Sequence, residues 1–418
     1  MRKRIIIIIL VLIIGGGAWY FYNKSKSTET ATTTDSGFKS FFPFGNSANN
    51  GGSNDTIDQD NQNPPIIDDK IVSPFKQLTS QTVSGFSAFT TKTVVSVPAT
   101  TPKGKPTTET ITDHVLRYIS RNNGYVYEIK NSGIPVQISN IYAANIYEAL
   151  FADSGKTAIL RFLRDDAKTI ASYSVPIPEK NIDGTRTQKD GTYLPDGISS
   201  MAVSTDGKTV ARLTVESGSS VLFTTTTTNT NRKEIIRSPF REWLVSWGGN
   251  NIFLQTKASG TASGFLYQVD TTNKRLTRVL GDIKGLTTSV SPKGTYILYS
   301  ESNTRGFVTR ILTTSTGAVR NVGNSILPEK CVWLQDEDLI CAGGGTIPEG
   351  TYPDTWYAGT TKFSDQLFRI YTGANIFDVL HSPTDGQSFD MTNLQINENL
   401  GVLYFIDKQS GILWQFSL

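Results

Sequence analysis

Short polar turns alternate with apolar runs through most of this chain, and the runs have the length of strands rather than helices. Residues 204–215, STDGKTVARLTV, give the pattern in its clearest form. SPKGTYILYSE at 291–301 repeats it, and ADSGKTAILRFL at 152–163 is a third copy. GGNNIFLQTK (248–257) and NENLGVLYFIDK (397–408) are looser copies. Gly, Asn or Asp at each turn supplies the positive φ of a tight hairpin, and the β-branched and aromatic residues that follow suit a pleated strand. A hairpin phrase recurring along most of a chain predicts a repeat architecture.

From residue 71 onward the pattern divides into seven units of up to four strands. Unit one (85–140) holds HVLRYIS, GYVYEIK and PVQIS, with a Thr/Pro/Lys insertion near 100–110. Unit two (146–195) carries a polar insertion at 179–191 before a short fourth strand. Units three (198–238), four (242–281) and five (285–323) each give four strands in order. Unit six (331–381) is interrupted by TIPEGTYPDTWYAGTTKF, residues 346–363, between its second and third strands. Unit seven has only three strands: MTNLQIN, GVLYFID and ILWQFSL. Ahead of unit one, IVSPFKQLT (71–79) is a strand without a unit, and its pattern resembles the fourth strands RLTRVLG and AVRNVG. Pairing it with ILWQFSL closes a ring and leaves no blade edge open. The spacing of about 43 residues in the regular units is that of a four-stranded propeller blade. The expected fold is all-β: a seven-bladed β-propeller over residues 71–418, closed by an N-terminal outer strand on the last blade. Six or eight blades is the alternative, because units one and six are irregular.

What precedes the units differs in kind. MRKR is followed by an uncharged run from Ile5 to Tyr22. As a helix it spans about 27 Å, close to the hydrocarbon core of a bilayer. Basic residues ahead of it keep that end in the cytoplasm, which predicts a single-pass membrane protein with its propeller outside. The competing reading is a cleaved signal peptide, with Ile5–Ile14 as the apolar region and cleavage among Gly15–Ala18. The aromatic cluster Trp19, Tyr20 and Tyr22 continues the apolar run and favours an anchor at residues 1–22. Residues 23–70, rich in Ser, Thr, Asn and Gly, bury too little to offset ordering entropy and read as a disordered linker. GFKSFFPFG at 37–45 interrupts it, either as a docking motif or as a patch that packs on its own domain.

The turns STDGKTV, SPKGTYI and DSGKTAI resemble the repeats of WD40-like propellers of the TolB type, from about Phe75 to the end. The chain departs from that family in lacking a GH…WD pair and the small α/β domain that precedes the TolB propeller. RYISRNNGYVYEI and CVWLQDEDLICAGG…YPDTWYAG are similar to uncharacterised membrane-anchored propellers of small-genome bacteria. That likeness implies a layout of anchor, linker and propeller, and no activity.

Candidate chemistry is sparse. Net charge is +3 with 18% charged residues, too balanced for a nucleic-acid surface. Two His and two Cys limit metal and triad chemistry from the outset. If residues 335–337 form a hairpin loop, Cys331 falls opposite Cys341 at disulfide distance. Outside the cytoplasm such a pair oxidises; the alternative is two buried thiols. Tyr352, Asp354, Trp356 and Tyr357 in the unit-six insertion are a candidate ligand or partner loop able to stack on a sugar or hold a peptide. The competing reading packs those aromatic residues over the top of the propeller. Trp243, Trp247 and Trp333 read as packing between blades. No G-x-S-x-G occurs, and SPTDGQSF has the wrong spacing for a sialidase-type Asp box. DKQSGILWQ matches a quinoprotein phrase only once, and a turn followed by a core Trp explains it. Asp165, Asp166, Asp336 and Asp338 fall in hairpin turns and are expected to be solvated. No catalytic residue, cofactor or metal site is expected. The sequence reads as an extracytoplasmic scaffold that binds a protein, peptide or glycan, with no nucleic-acid partner. The alternative is a glycan-processing enzyme with carboxylates at the central channel.

Overall fold

Ser204 and Gly207 show why the repeated phrase makes a hairpin. Gly207 sits at φ 74°, its N–H donates to Ser204 O at 2.8 Å, and Thr209 N–H donates to Ser204 Oγ at 2.9 Å. The copy at Ser291 repeats both bonds, from Gly294 N–H at 2.8 Å and from Tyr296 N–H at 3.0 Å. The hydroxyl takes an N–H at the foot of the turn, and glycine adopts the left-handed backbone without strain. The strands after these turns are buried on both faces because a neighbouring blade covers each side, which is why they read as near-continuous apolar runs.

The structure is a computed structural model that describes residues 73–97, 107–181, 184–374, 376–383 and 387–418. The expected anchor (1–22), the linker (23–70) with its Phe-rich stretch, residues 71–72 and the Lys-rich tip near 101–106 lie outside them.

Seven four-stranded antiparallel sheets follow one another in chain order. Blade one comprises β2 (Val83–Val97), β3 (Thr107–Ser120), β4 (Val126–Lys130) and β5 (Val136–Gln137). Blade two has β6 (Ile146–Ala152), β7 (Thr157–Leu163), β8 (Ile170–Pro176) and the expected short fourth strand, β9 (Thr192–Tyr193). Blade three has β10 (Ile198–Val203), β11 (Thr209–Glu216), β12 (Ser219–Thr226) and β13 (Lys233–Ser238). Blade four has β14 (Trp243–Gly248), β15 (Asn251–Thr256), β16 (Ser263–Asp270) and β17 (Arg275–Lys284). Blade five has β18 (Thr288–Val290), β19 (Tyr296–Asn303), β20 (Gly306–Thr313) and β21 (Val319–Asn321). Blade six has β22 (Cys331–Leu334), β23 (Asp338–Gly344), β24 (Asp365–Tyr371) and β25 (Ile376–His381). Blade seven has β26 (Met391–Asn397), β27 (Val402–Asp407) and β28 (Leu413–Ser417), completed by β1 (Phe75–Gln77) from the other end of the chain.

Seven blades are therefore present, and six or eight are excluded. The core is a set of apolar layers between consecutive blades, and the layer between blades seven and one closes the circle through Tyr404, Leu413, Phe86 and Tyr118. Trp243 is buried in one such layer, and Trp247 and Trp333 donate across blade boundaries to Ala202 O and Ser289 Oγ. The closing strand is shorter than the expected 71–79. Its Phe75, Lys76 and Gln77 face Phe416, Gln415 and Trp414. Leu78 N–H donates to Leu413 O, and Ser417 N–H to Pro74 O. Proline is tolerated there because the strand is the outer edge of its blade.

Two departures from the simple ring mark its two ends. In each blade the turns from strand one to two lie at one end, and those from two to three lie at the other. At the first end β2 and β3 continue as a paired two-stranded arm to Val97 and Thr107, where the sequence suggests only an irregular insertion. At the second end the insertion of blade six folds into a lid containing α1 (Asp354–Tyr357).

Candidate functional site

The lid closes over its own end with its aromatic residues turned inward. Tyr352 and Trp356 are 1% and 4% exposed and pack with Phe307, Leu327 and Phe363. Asp354 accepts from Gly260 N–H of blade four at 2.7 Å. Ser302 of blade five donates to Tyr352 O, and Lys408 Nζ of blade seven donates to Trp356 O at 2.7 Å. The lid is thus fastened to three blades besides its own.

Beneath it lies a buried ion cluster. Lys330 Nζ, at the end of a 3-10 turn (Pro328–Lys330), stands 2.8 Å from Asp365 Oδ2 and 2.5 Å from Asp390 Oδ1. Trp356 Nε1 donates to both oxygens of Asp390 at 3.1 Å. Burial raises the Asp365 pKa to about 6, although the adjacent Lys330 ammonium opposes the rise. Burial also pushes the Glu329 carboxyl upward, against the Tyr357 hydroxyl that donates to it. The Asp365 and Asp390 carboxylates serve an ammonium and an indole and are buried from solvent.

The opposite end carries a groove of about 620 Å³ between blades six and seven. Its floor is apolar, from Leu334, Ile340, Leu380 and Ile396. Its rim holds Asp336, Glu337, Asp338 and Glu398 against Lys293 and Arg369. Asp338 is paired with Arg369 at 2.8 Å. Asp336 is 5% exposed, which corrects the expectation that it is solvated: its carboxylate accepts from Lys293 N–H at 2.8 Å and ties the turn of blade six to that of blade five. Burial pushes its pKa up, but bonds from Thr295, Ser291 and Lys293 N–H outweigh this and hold it low. Glu337 and Glu398 are exposed, and among the described residues their carboxylates have no partner. The arm rises beside this groove. Its foot is fixed by Asn397, adjacent to Glu398, whose Nδ2 lies 3.1 Å from His114 Nδ1.

Of the four loop residues singled out in the sequence, then, Tyr352 and Trp356 are lid core, Asp354 fastens the lid, and only Tyr357, 44% exposed, keeps a free ring surface. The packing alternative describes Tyr352 and Trp356. Cys331 and Cys341 are joined in a disulfide across β22 and β23, in the expected register of Leu334 facing Asp338. The groove escaped the sequence because its walls come from turns of three blades. One signal was legible, the acidic run at 336–338 beside an apolar strand. The seven first strands contribute a single carboxylate, Glu148, and Arg161 Nη1 holds it at 2.6 Å. Among the described residues no helix is long and apolar enough to cross a membrane, and no group of three or more His, Cys, Asp or Glu is placed to hold a metal ion.

No protein-family model and no curated protein matches the chain. Solved structures do resemble it. TolB from Acinetobacter baumannii is 14% identical over 66% of this chain and 64% of that one, with a TM-score of 0.40. The match therefore spans a little under two thirds of the TolB length. The β-propeller domain of Cps50 (Swd1) from Myceliophteria thermophila is 11% identical over 73% of this chain and 93% of its own, with a TM-score of 0.44. Oligogalacturonate lyase from Vibrio parahaemolyticus is 10% identical over 80% and 96%, with a TM-score of 0.47. These neighbours, TolB-type and WD40-type propellers among them, bear on the fold alone.

Proposed function

We propose that this chain is an extracytoplasmic, membrane-anchored binding module whose end opposite the lid receives a cationic, partly apolar segment of a protein partner. The groove between blades six and seven carries the reading. Four rim carboxylates outnumber two cations, two of the four are exposed and unpaired, and the floor is apolar. Such a groove attracts positive charge and holds aliphatic side chains beneath it. The lid supports the choice of end, since it occupies the other over blades four to seven. The membrane placement rests on MRKR and the apolar run after it, and the Cys331–Cys341 disulfide accords with an oxidising compartment. The glycan-processing alternative needs two inward carboxylates, and the first strands supply only Glu148, already held by Arg161.

The test is fluorescence anisotropy of the full-length chain in detergent with short labelled peptides that are basic, neutral or acidic. Basic peptides with aliphatic residues should bind most tightly, and more weakly as salt rises. Reversing Glu337 and Glu398 together to Lys should weaken binding by about tenfold or more, while Tyr357→Phe on the lid leaves it unchanged. Equal binding across the panel, or an unaffected double variant, would overturn the assignment.

A further inference from the structure

The Lys330 ammonium and the carboxylates of Asp365 and Asp390 meet in one cluster whose side chains are 1%, 0% and 2% exposed. Each residue stands at the entry to a strand: Lys330 precedes β22, Asp365 opens β24, and Asp390 precedes β26. Backbone bonds fix all three positions. Lys330 N–H donates to Leu327 O and Asp365 N–H to Phe389 O, both at 2.9 Å, and Asp390 N–H donates to Asp407 Oδ1 at 3.1 Å. Aromatic rings wall the cluster, with Lys330 Nζ 5.3 Å from the Trp356 ring centroid and 5.1 Å from that of Phe363. The Lys408 amine, 5.0 Å from the same Trp356 ring, is turned instead to Trp356 O at 2.7 Å.

The three groups are placed as a nucleophile, an acyl carbon and a proton carrier. Lys330 Nζ is 2.5 Å from Asp390 Oδ1, one bond away from Cγ, and so lies close to the near-attack separation of about 3–3.5 Å. Trp356 Nε1 donates to both Asp390 oxygens, and Phe363 N–H donates to Oδ2 at 3.3 Å. These donors already face the oxygens on which negative charge develops when nitrogen adds to the carbon. Asp365 touches the same nitrogen through Oδ2 at 2.8 Å, and that oxygen also accepts from Met391 N–H at 2.6 Å. Burial, which raises its pKa to about 6, suits Asp365 to take up and release a proton near neutral pH.

We infer that Lys330 Nζ and Asp390 Cγ condense to an amide within the folded chain, with Asp365 as the catalytic proton carrier. The ammonium first gives a proton to the Asp390 carboxylate, a transfer that a dry site assists because neither neutral product needs hydration as an ion does. The amine lone pair then forms the Nζ–Cγ bond. The Asp365 carboxylate accepts a proton from that nitrogen and passes it to the departing hydroxyl, and the Cγ–O bond breaks to release water. One ammonium and one carboxylate thus become one amide and one water, and Asp365 is restored. The bond joins positions 60 residues apart and closes blade six with its lid into a covalent loop. It lies beneath the lid, away from the groove, and stands whether or not that groove binds peptides.

Peptide mapping by tandem mass spectrometry tests it, on the full-length chain reduced, alkylated and digested with trypsin. Cleavage after Lys330 should be lost, and a branched peptide joining Lys330 to Asp390 should appear, lighter by one water than its two parts. In reducing, denaturing electrophoresis the unaltered chain should migrate ahead of Lys330→Arg, because its loop stays closed. Asp365→Ala keeps both reacting groups and should lose the branched peptide. Should that variant not fold, the map of the unaltered chain decides. Release of unmodified Lys330 from the unaltered chain, or a water loss that maps to a succinimide at an Asp–Gly pair such as Asp206–Gly207, would overturn the crosslink. A branched peptide undiminished in Asp365→Ala would overturn the role given to Asp365.

Discussion

Phe75 and Phe416, from opposite ends of the described chain, pack with ring centroids 4.9 Å apart and sit opposite each other in the register of β1 and β28. Phe389, Phe405 and His381 surround the same ring. Three residue pairs alone make a weak strand, so this aromatic cluster does much to hold the ring shut.

Truncation separates the closing strand from what precedes it. Deleting residues 1–70 should leave the melting temperature unchanged, whereas deleting 1–80 should lower it and promote aggregation through the exposed β28. Phe75→Ala should cost about 3 kcal/mol in chemical denaturation, the usual scale for an emptied aromatic site. Equal melting and equal solubility of the two truncations would refute the closure.

The disulfide of blade six closes a sequence separation of 10 residues. Reduction should lower stability by about 2–3 kcal/mol on the loop-entropy model. Mass analysis of the native chain after alkylation should show two unmodified cysteines, and two modified ones only after reduction.

Asp365 gives a pH dependence whose sign follows from its environment. Burial lifts its pKa from 3.8 to about 6, so the folded chain holds a proton that the unfolded chain has released. This contribution favours the fold most below about pH 4 and is lost as pH rises through about 6. Urea midpoints compared between the unaltered chain and Asp365→Asn should differ in slope across that window. Identical slopes would remove Asp365 as the cause.

Trp356→Phe keeps a ring in the lid but removes the indole N–H given to Asp390. It should destabilise by about 1–3 kcal/mol, because Asp390 stays buried and loses a donor. Lys330→Met should cost more, about 3–5 kcal/mol, since it leaves two buried carboxylates without their shared cation. If the lid folds as part of the ring, both variants should unfold in a single transition.

Local chemistry was readable where one residue acts within a few positions of itself. The Ser and Gly of the turns, the three-stranded last unit and the cysteine register at 331–341 were all predictable from the chain. The arm was not recognised, although TTKTVVSV and TTETIT are β-branched enough to pair, because Pro and Lys between them read as a loop. Asp336 illustrates the harder case. Its burial depends on Lys293, from the turn of another blade, and nothing within residues 335–338 announces it. The lid aromatics are similar, since Phe307 and Leu327, which cover Tyr352, come from elsewhere in the ring. Residues become a groove or a core through partners distant in sequence, and one chain gives no pairing information at that range.

The position of β1 has a mechanical consequence. The described chain enters the ring through this strand, so tension applied at residue 73 loads Phe75–Gln77 before it reaches a blade. The three pairs to β28 and the aromatic cluster around Phe75 act as a clasp of defined strength. A pull sufficient to open it would peel β1 away and leave the last blade one strand short, while the six other sheets, each closed on its own four strands, keep their pairing.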